Sequence, residues 1–427
     1  MAVDWRSYEP VLIPEIENIH EIDVYIENGG YEALRKVLSD DWTQESVIDE
    51  VKAANIRGRG GAGFNAGLKW SFMPEPDGKP RYLACNGDES EPGTFKDRMI
   101  FEYNPHLFIE GALIAAYAMQ CTTIYVYIRG EYIDWIRMLD KALADAYEKG
   151  FIGKDILGSG FSVDFYTYAG AGAYICGEET AMLESLEGKR GYPRVKPPFP
   201  AQNGLWGRPT TINNIETLSN VPHVINKGAK WFTSIGAETH PGPLLYGISG
   251  HVNRPGVYEL PSGIPVLEMI NEVAGGMRDG KKLKAIVPGG SSTPVLRADQ
   301  LEGVTMDSDS LREVGSMLGT AGLLVLNEDT DMVDFLWRVS RFYHHESCGQ
   351  CTPCREGTGW LDRILMKIRN GEGEIRDLDL LLDITTQMEG RTICALADAA
   401  AWPVRYTINR FRDEFEARCK KSVHAVA

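Results

Sequence analysis

The string CGQCTPC constrains this chain more than any other. It sets Cys348, Cys351 and Cys354 at C-x2-C-x2-C spacing on a short loop predicted to follow a helix. Three thiolates so spaced converge on one face of an iron–sulfide cube, whose fourth ligand usually comes from elsewhere in the chain. Cys394, in GRTICALA, opens another predicted helix. A helix N-terminus favours both a thiolate and the negative charge of a cluster. Structural zinc is the rival, although tetrahedral zinc sites generally draw cysteines as separated C-x2-C pairs. Unrelated thiols are the third alternative. The other four cysteines, Cys85, Cys121, Cys176 and Cys419, are scattered. The N-terminal MAVDWRSYEP has neither the basic flank nor the apolar run of a secretory signal, nor the Arg- and Ser-rich character of a transit peptide. A cytosolic setting is expected, where clustered cysteines point to metal rather than disulfides.

At 427 residues the chain is too long for one ordinary core, so two or three domains are expected. Helical patterns at about 31–39 and 44–55 precede a buried strand, RYLACN (81–86). A helix at about 105–120, the strand TTIYVYI, a helix over 131–149, the strand FSVDFYTY and a helix over 178–187 follow. This alternation predicts an α/β layer with a mainly parallel sheet. Residues 188–211 read as a long ordered loop, and TTINNIETLSNVPHVIN as a restarted helix capped by Asn213 or Asn214. Near 240 the pattern changes to short β runs (LLYGISGHV, VYEL, KAIVPG, LLVLN) around one helix, VLEMINEVAGG, which describes a small α+β domain. Helices at 331–345, 355–370, 377–388 and 395–417 then predict an all-α bundle. The expected domains are 1–239, 240–328 and 329–427, and only a few residues at each end look disordered. The longest apolar stretch, HLFIEGALIAAYAM, is interrupted by Glu110 and falls short of the roughly 20 residues of a membrane span. A net charge of −16 argues against nucleic acid and anionic lipid as partners.

Three loops carry further chemistry. In IRGRGGAGFNAGLKW, Gly58, Gly60 and Gly63 match G-x-G-x-x-G, but a helical stretch precedes them, so this is not an ordinary dinucleotide turn. Its glycines let the backbone approach a flat or anionic ligand, and Lys69 could neutralise a phosphate; a tight structural turn is the plain alternative. In CNGDESEPGTFKDR, a strand ends at Asn86 with Asp88, Glu89, Ser90 and Glu91 at its carboxyl end, where open α/β sheets bind ligands. Those carboxylates could accept hydrogen bonds from ribose hydroxyls or flavin N–H groups, or form only a solvated acidic turn. In GAGAYICGEETA, small residues allow close approach to a ring, while Glu178 and Glu179 open a helix and could be simple dipole partners. Cys176 there reads as packing. Phe64, Phe72 and Phe199 could stack on an adenine or nicotinamide ring, though a single Phe is more often core. Lys196 sets a cation beside Phe199 on a stiff, proline-rich loop. His344 and His345 read as surface or supporting residues.

Together, RGRGGAGF…GLKWSF, CNGDESEPGTFKDR, GAGAYICGEETA, KPPFPA…GLWGRPT, NNIETL and ESCGQCTPCREG resemble the NADH-binding flavoprotein subunit of respiratory complex I, over about residues 25–419. The resemblance implies an enzyme in which NADH passes a hydride to FMN and electrons leave singly through a [4Fe–4S] cluster toward quinone. It implies that Gly58, Gly60, Lys69, Asn86, Asp88, Ser90, Tyr174, Gly177, Glu178, Asn213, Asn214 and Thr217 hold FMN. Phe64, Phe72, Glu91, Glu179, Lys196 and Phe199 would hold NADH, with Glu91 and Glu179 orienting the nucleotide. No protein acid or base is expected to be essential, because hydride moves from cofactor to cofactor. Cys348, Cys351, Cys354 and Cys394 would hold the cluster in the helical bundle, and the middle domain would be a ubiquitin-like β-grasp module. Implied partners are a small thioredoxin-like [2Fe–2S] subunit and a large multi-cluster iron–sulfur subunit. Other subunits would make the contact with the inner membrane, on its cytoplasmic side. Gly87 departs from the Ala usual in CNADE, and Asn65 stands where Pro or a smaller hydroxyl residue is common; neither removes a polar ligand. The diaphorase subunit of an NAD-linked hydrogenase or formate dehydrogenase is the close alternative. A non-catalytic iron–sulfur relay is the alternative from another class.

Overall fold

Four β-rich runs form a parallel sheet in the computed structural model, which describes residues 4–420; the disorder expected at the extreme ends lies outside them. The strands are β1 (Tyr82–Gly87), β2 (Thr123–Ile128), β3 (Asp164–Ala169) and β4 (Thr210–Asn214), in spatial order β3–β2–β1–β4. Asn86 on β1 is in register with Asn214 on β4, so these two strands end side by side and the loops leaving them converge at one edge. Helix α1 (Gln44–Ala53) precedes the first glycine-rich loop. Parallel neighbours need crossovers; α2 (Pro105–Ala118) links β1 to β2, and α3 (Ile133–Glu148) links β2 to β3. Helix α2 is apolar all round and buried except at Tyr117. Its one carboxylate, Glu110, accepts hydrogen bonds from Tyr25 Oη and from the backbone N–H groups of Tyr31 and Leu34, which is how it is accommodated in the core. Helix α4 (Glu179–Leu186) follows the second glycine-rich loop.

The segment TTINNIETL departs from the expected helix. Thr210–Asn214 is a strand, and the helix begins only at Ile215. β-Branched Thr210, Thr211 and Ile212 are buried and complete the sheet beside β1, where such side chains pack well. Asn214 does cap the helix, its Oδ1 accepting from Thr217 N at 3.2 Å. Asn213 does not; its Oδ1 accepts from Trp70 Nε1 at 2.8 Å.

A second sheet is built from β5 (Pro243–Gly250), β6 (Gly256–Pro261), β7 (Leu283–Val287), β8 (Leu296–Arg297) and β9 (Gly322–Asn327), in the order β8–β7–β9–β5–β6. Strands β9 and β5 are parallel and the other pairings antiparallel. The expected helix starts at Val266 and finishes as a π-turn, Met269–Val273. Glu259 on β6 is buried and ties down the N-terminal strap, accepting from the backbone N–H groups of Val11, Leu12 and Ile13, each at 2.8 Å.

Helices α5 (Met332–Glu346), α6 (Thr352–Arg369), α7 (Ile375–Met388), α8 (Leu396–Arg410) and α9 (Arg412–Arg418) form the bundle. The expected single helix over 395–417 breaks at Phe411, whose φ of −131° leaves the helical region. The bundle shares one core with the first domain: Leu336, Leu361, Leu381 and Val404 pack in the same cluster as Ala84, Tyr127, Met182 and Leu183. No described helix is long and apolar enough to cross a membrane.

Candidate functional site

The first glycine-rich loop closes on itself, with Gly58 N–H donating to Phe64 O at 2.8 Å. Gly61 and Gly63 take φ values of +109° and +64°, a region that favours glycine. A Cβ added at Gly60 would lie 3.2 Å from Asn214 Cβ, so the loop packs against β4 at glycine distance. Between these glycines Arg59 is buried. Its backbone N–H donates to Thr217 Oγ1 at 2.8 Å, and its guanidinium donates to Pro241 O at 2.7 Å. The loop is thereby pinned to the first domain on one side and to the approach to the second sheet on the other.

The acidic loop leaves β1 beside it. Asn86 Nδ2 donates to Gly177 O at 2.9 Å, and its Oδ1 accepts from Asp88 N at 3.0 Å. Ser90 Oγ donates to Asp88 Oδ1 at 2.9 Å, while Asp88 Oδ2 is buried with no partner. Glu178 caps α4, its Oε2 accepting from Thr180 N and Ala181 N. These loops surround a cavity of about 420 Å³. Of the residues expected at the site, Gly60, Asn86, Asp88, Ser90, Glu91, Tyr174, Gly177, Glu178, Asn214 and Cys394 line it. Gly58, Asn213 and Thr217 stand behind the lining and hold it through the contacts just described.

Lys69, Glu179 and Lys196 form a chain at one side. Lys69 Nζ lies 3.0 Å from Glu179 Oε2, and Lys196 Nζ lies 3.1 Å from Glu178 Oε1 and 3.0 Å from Glu179 Oε1. Burial alone would push the Glu179 carboxyl up, but the two lysines outweigh it and hold it below its usual value. Phe64 and Phe72 are 48% exposed and Phe199 is 54% exposed, outside the lining; the first two rings are 6.0 Å apart. The three rings are exposed and so are not core residues.

The cavity fits a flat, polar cofactor. Its volume is that of a small-molecule site, glycine and polar side chains of the first domain face apolar Ile175, Met317, Leu396 and Trp402 across it, and the unpartnered Asp88 Oδ2 is an acceptor awaiting a donor. Burial pushes the Asp88 carboxyl up to about 7. A carboxyl whose folded pKa is raised contributes stability at low pH and loses it as pH rises through the folded value. Without ligand, Asp88→Asn is therefore expected to stabilise the protein by about 4 kcal/mol at pH 8 and by roughly half as much or less at pH 5, the loss running from the unfolded to the folded value. Thermal unfolding at the two pH values checks this, and an equal effect at both would contradict it.

A second void adjoins the cavity and is lined by Cys348, Cys351, Cys354 and Cys394. Cys351 is the N-cap of α6, Cys354 lies in its first turn, and Cys394 stands just before α8, so two helix N-termini face the thiols. Ile393 N–H donates to Cys351 Sγ at 3.4 Å, and Ser347 Oγ lies 3.2 Å from Cys354 Sγ. Among the described residues no three His, Cys, Asp or Glu side chains converge tightly enough to hold one metal ion. Four thiols spread around a void suit a multi-iron cluster, not a single tetrahedral zinc. His344 Nδ1 instead meets Asp362 Oδ2 at 2.9 Å, and His345 is exposed.

Other residues of the lining lie outside the expected set: Thr94, Lys96 and Asp97 after the acidic loop, Gly289, Ser292, Gly319 and Thr320 from the second domain, and Trp402 from α8. The turns PGGSS and GTAG carry a glycine signal, but nothing in their spacing says which domain they face.

A redox flavoprotein with its own iron–sulfur centre is the class of protein that two such adjoining sites define. The family model of the Nuo51 FMN-binding domain matches residues 51–223, that of the SLBB domain 245–333, and that of the NADH-ubiquinone oxidoreductase-F iron-sulfur binding region 334–418. The second of two F-type subunits of NADH-quinone oxidoreductase from Rhizobium meliloti (strain 1021) is 52% identical over 97% of this chain and 98% of its own length. The F-type subunit from Rickettsia typhi (strain ATCC VR-144 / Wilmington) is 54% identical over 89% of this chain and 90% of its own. The chain belongs to this family, the F-type subunits of NADH-quinone oxidoreductase. Among solved structures, a chain of an NAD+-reducing [NiFe]-hydrogenase in the H2-reduced state superimposes with a TM-score of 0.81 at 34% identity, over 89% of this chain. This chain spans 63% of that hydrogenase chain.

Proposed function

We propose that this chain is the NADH-oxidising subunit of a bacterial complex I, with FMN in the 420 Å³ cavity and a [4Fe–4S] cluster among Cys348, Cys351, Cys354 and Cys394. Bound there, FMN would supply the hydride acceptor for NADH and the cluster would supply one-electron transfer onward. The observation that carries this reading is Cys394: it lines both the cavity and the cysteine void, so the two cofactors would be neighbours.

The protein's part is binding and orientation. Gly60 and Gly177 give the ligand backbone to lie against, and Gly58 closes the loop behind them. Asn86, Asp88, Ser90, Tyr174, Glu178 and Asn214 supply polar groups, with Asn213 and Thr217 as supports. Lys69 offers a positive charge to a phosphate. Phe64, Phe72 and Phe199 offer ring faces at the mouth for the nucleotide, while Glu91, Glu179 and Lys196 offer hydrogen-bonding and charged groups. An orienting site of this kind contributes by holding reactants in line.

The division into 1–239, 240–328 and 329–427 rests on the four-stranded sheet, the five-stranded sheet and the bundle, and the middle sheet with its helices from Val266 and Ser308 is read as a β-grasp module. Docking partners would be a [2Fe–2S] subunit and a multi-cluster iron–sulfur subunit, in a peripheral arm on the cytoplasmic side. The 34% likeness to an NAD+-reducing hydrogenase chain keeps a diaphorase role as the second reading. The relatives matched along nearly their whole length favour complex I.

Anaerobic titration of the purified protein with NADH tests the function. Flavin bleaching at about one FMN per chain, with a reduced-cubane EPR signal, is expected. Protein that carries a cluster but no flavin would overturn it in favour of a relay. NADPH is expected to be much the poorer donor, because its extra phosphate would meet the carboxylates of the acidic loop. Comparable turnover with the two nucleotides would refute that preference.

A further inference from the structure

Glu91 is the one acidic-loop residue at the cavity held by all three parts of the chain. Tyr174 Oη of the first domain donates to its Oε2 at 2.7 Å. Its Oε1 accepts from Ser292 N–H at 2.7 Å, from Ser291 Oγ at 3.3 Å and from Tyr343 Oη at 3.4 Å. Tyr343, on α5 of the bundle, is fully buried, and its Oη lies 2.9 Å from Ser291 Oγ. The second-domain turn approaches so closely that a Cβ at Gly290, whose φ is +92°, would stand 2.5 Å from Glu91 Cγ. The turn is further fixed by Ser291 N–H donating to Pro92 O at 3.0 Å. Glu91 is thus a half-buried carboxyl group held by neutral donors alone.

The two oxygens are not equivalent. Oε1 already receives Ser292 N–H and faces the linked hydroxyls of Ser291 and Tyr343, which leaves it little capacity for a ligand. Oε2 receives one, from Tyr174, and keeps a lone pair for a hydroxyl or amide N–H entering the cavity. We infer that Tyr343 and Ser291 are positioning residues: they anchor Oε1 so that Oε2 is presented to the hydroxyls of the incoming nicotinamide nucleotide. The second domain and the bundle then take part in nucleotide selection through one carboxylate on the first domain. This rests on the reading of Glu91 as a nucleotide contact.

The test uses the holoenzyme with Tyr343→Phe, Ser291→Ala and, as reference, Glu91→Gln. Each positioning variant removes one neutral donor, a hydrogen bond's worth, so KM for NADH and Kd for NAD+ should each rise about three- to tenfold with kcat little changed. The NADPH-to-NADH ratio of kcat/KM should rise with them, because NADPH depends less on that carboxylate. Flavin and iron content per chain stay at the level of the unmodified protein. A general structural lesion would lower cofactor content and kcat and would leave the nucleotide ratio alone, and that result would overturn the proposal. If Glu91→Gln shifts the ratio and both positioning variants leave it unchanged, the positioning role falls and the role of Glu91 stands. If Glu91→Gln itself leaves KM, Kd and the ratio unchanged, both fall.

Discussion

Cys394→Ala is expected to leave a flavoprotein without its cubane. Three of the four thiols come from the end of the α5–α6 loop and the first turn of α6, whereas Cys394 arrives alone from just before α8. Its removal takes away a quarter of the ligand set and cannot be repaired by a neighbouring residue of the CGQCTPC loop, whose other thiols are already committed. Changes to groups that merely support metal ligands cost about 10–100-fold in affinity, so deletion of a ligand should cost at least that. The expected protein has iron and acid-labile sulfide well below the unmodified level and no reduced-cubane EPR signal on NADH addition. Its flavin should still bleach with NADH, because Asp88, Ser90, Tyr174 and the glycine loop, which line the cavity, are left in place. Full iron content with an unchanged EPR signal would mean that another residue completes the cluster. Loss of flavin together with iron would mean that the two sites fold as one unit.

Much of this arrangement is legible because the sequence writes local rules clearly. The C-x2-C-x2-C run, the alternation from RYLACN to FSVDFYTY and the amphipathic bundle helices each state their structure within a short window. TTINN defeats such a reading because a strand at a sheet edge and the first turn of a helix differ there only in tertiary surroundings: the Thr-Thr-Ile run is strand-like, and what decides it is the open side of β1. Asn213 shows the same limit at the site. Its position in NNIETL matches the motif, but its amide turns to Trp70, and only the packing of the glycine-loop helix against the sheet reveals that. The residues contributed from afar are the least legible. Ser291, Ser292 and Tyr343 reach Glu91 across some two hundred positions or more, which no periodicity encodes.

Lys96→Met is expected to destabilise the fold by about 3–5 kcal/mol, the cost of breaking a buried ion pair by removing one partner. Lys96 is 2% exposed at the base of the cavity, 2.9 Å from Asp97 Oδ1 and 2.5 Å from Glu216 Oε2. Glu216 is fully buried, and its Oε1 accepts from Leu245 N–H at 2.9 Å on β5. Burial by itself would lower the Lys96 ammonium, but Asp97, Glu216 and Glu89 outweigh it and keep it charged. One cation therefore serves two carboxylates on different helices, and methionine of similar length leaves both without it. Burial already pushes the Glu216 carboxyl up with Lys96 in place, so in the variant it should rise further. A group whose folded pKa is raised loses stability as pH rises through that value, so the deficit should be larger at pH 8 than at pH 5. Lys96→Met combined with Glu216→Gln should recover part of the loss, since the amide oxygen can still accept from Leu245 N–H while the orphaned charge is gone. Denaturant unfolding of the single and double variants at both pH values measures this. Equal stability of the two variants at pH 8 would mean that Lys96 serves Asp97 alone. Asp97 Oδ2 in turn accepts from Asn214 Nδ2 at 2.7 Å, so the ion pair holds an amide at the cavity wall, and flavin affinity should fall with stability in the single variant.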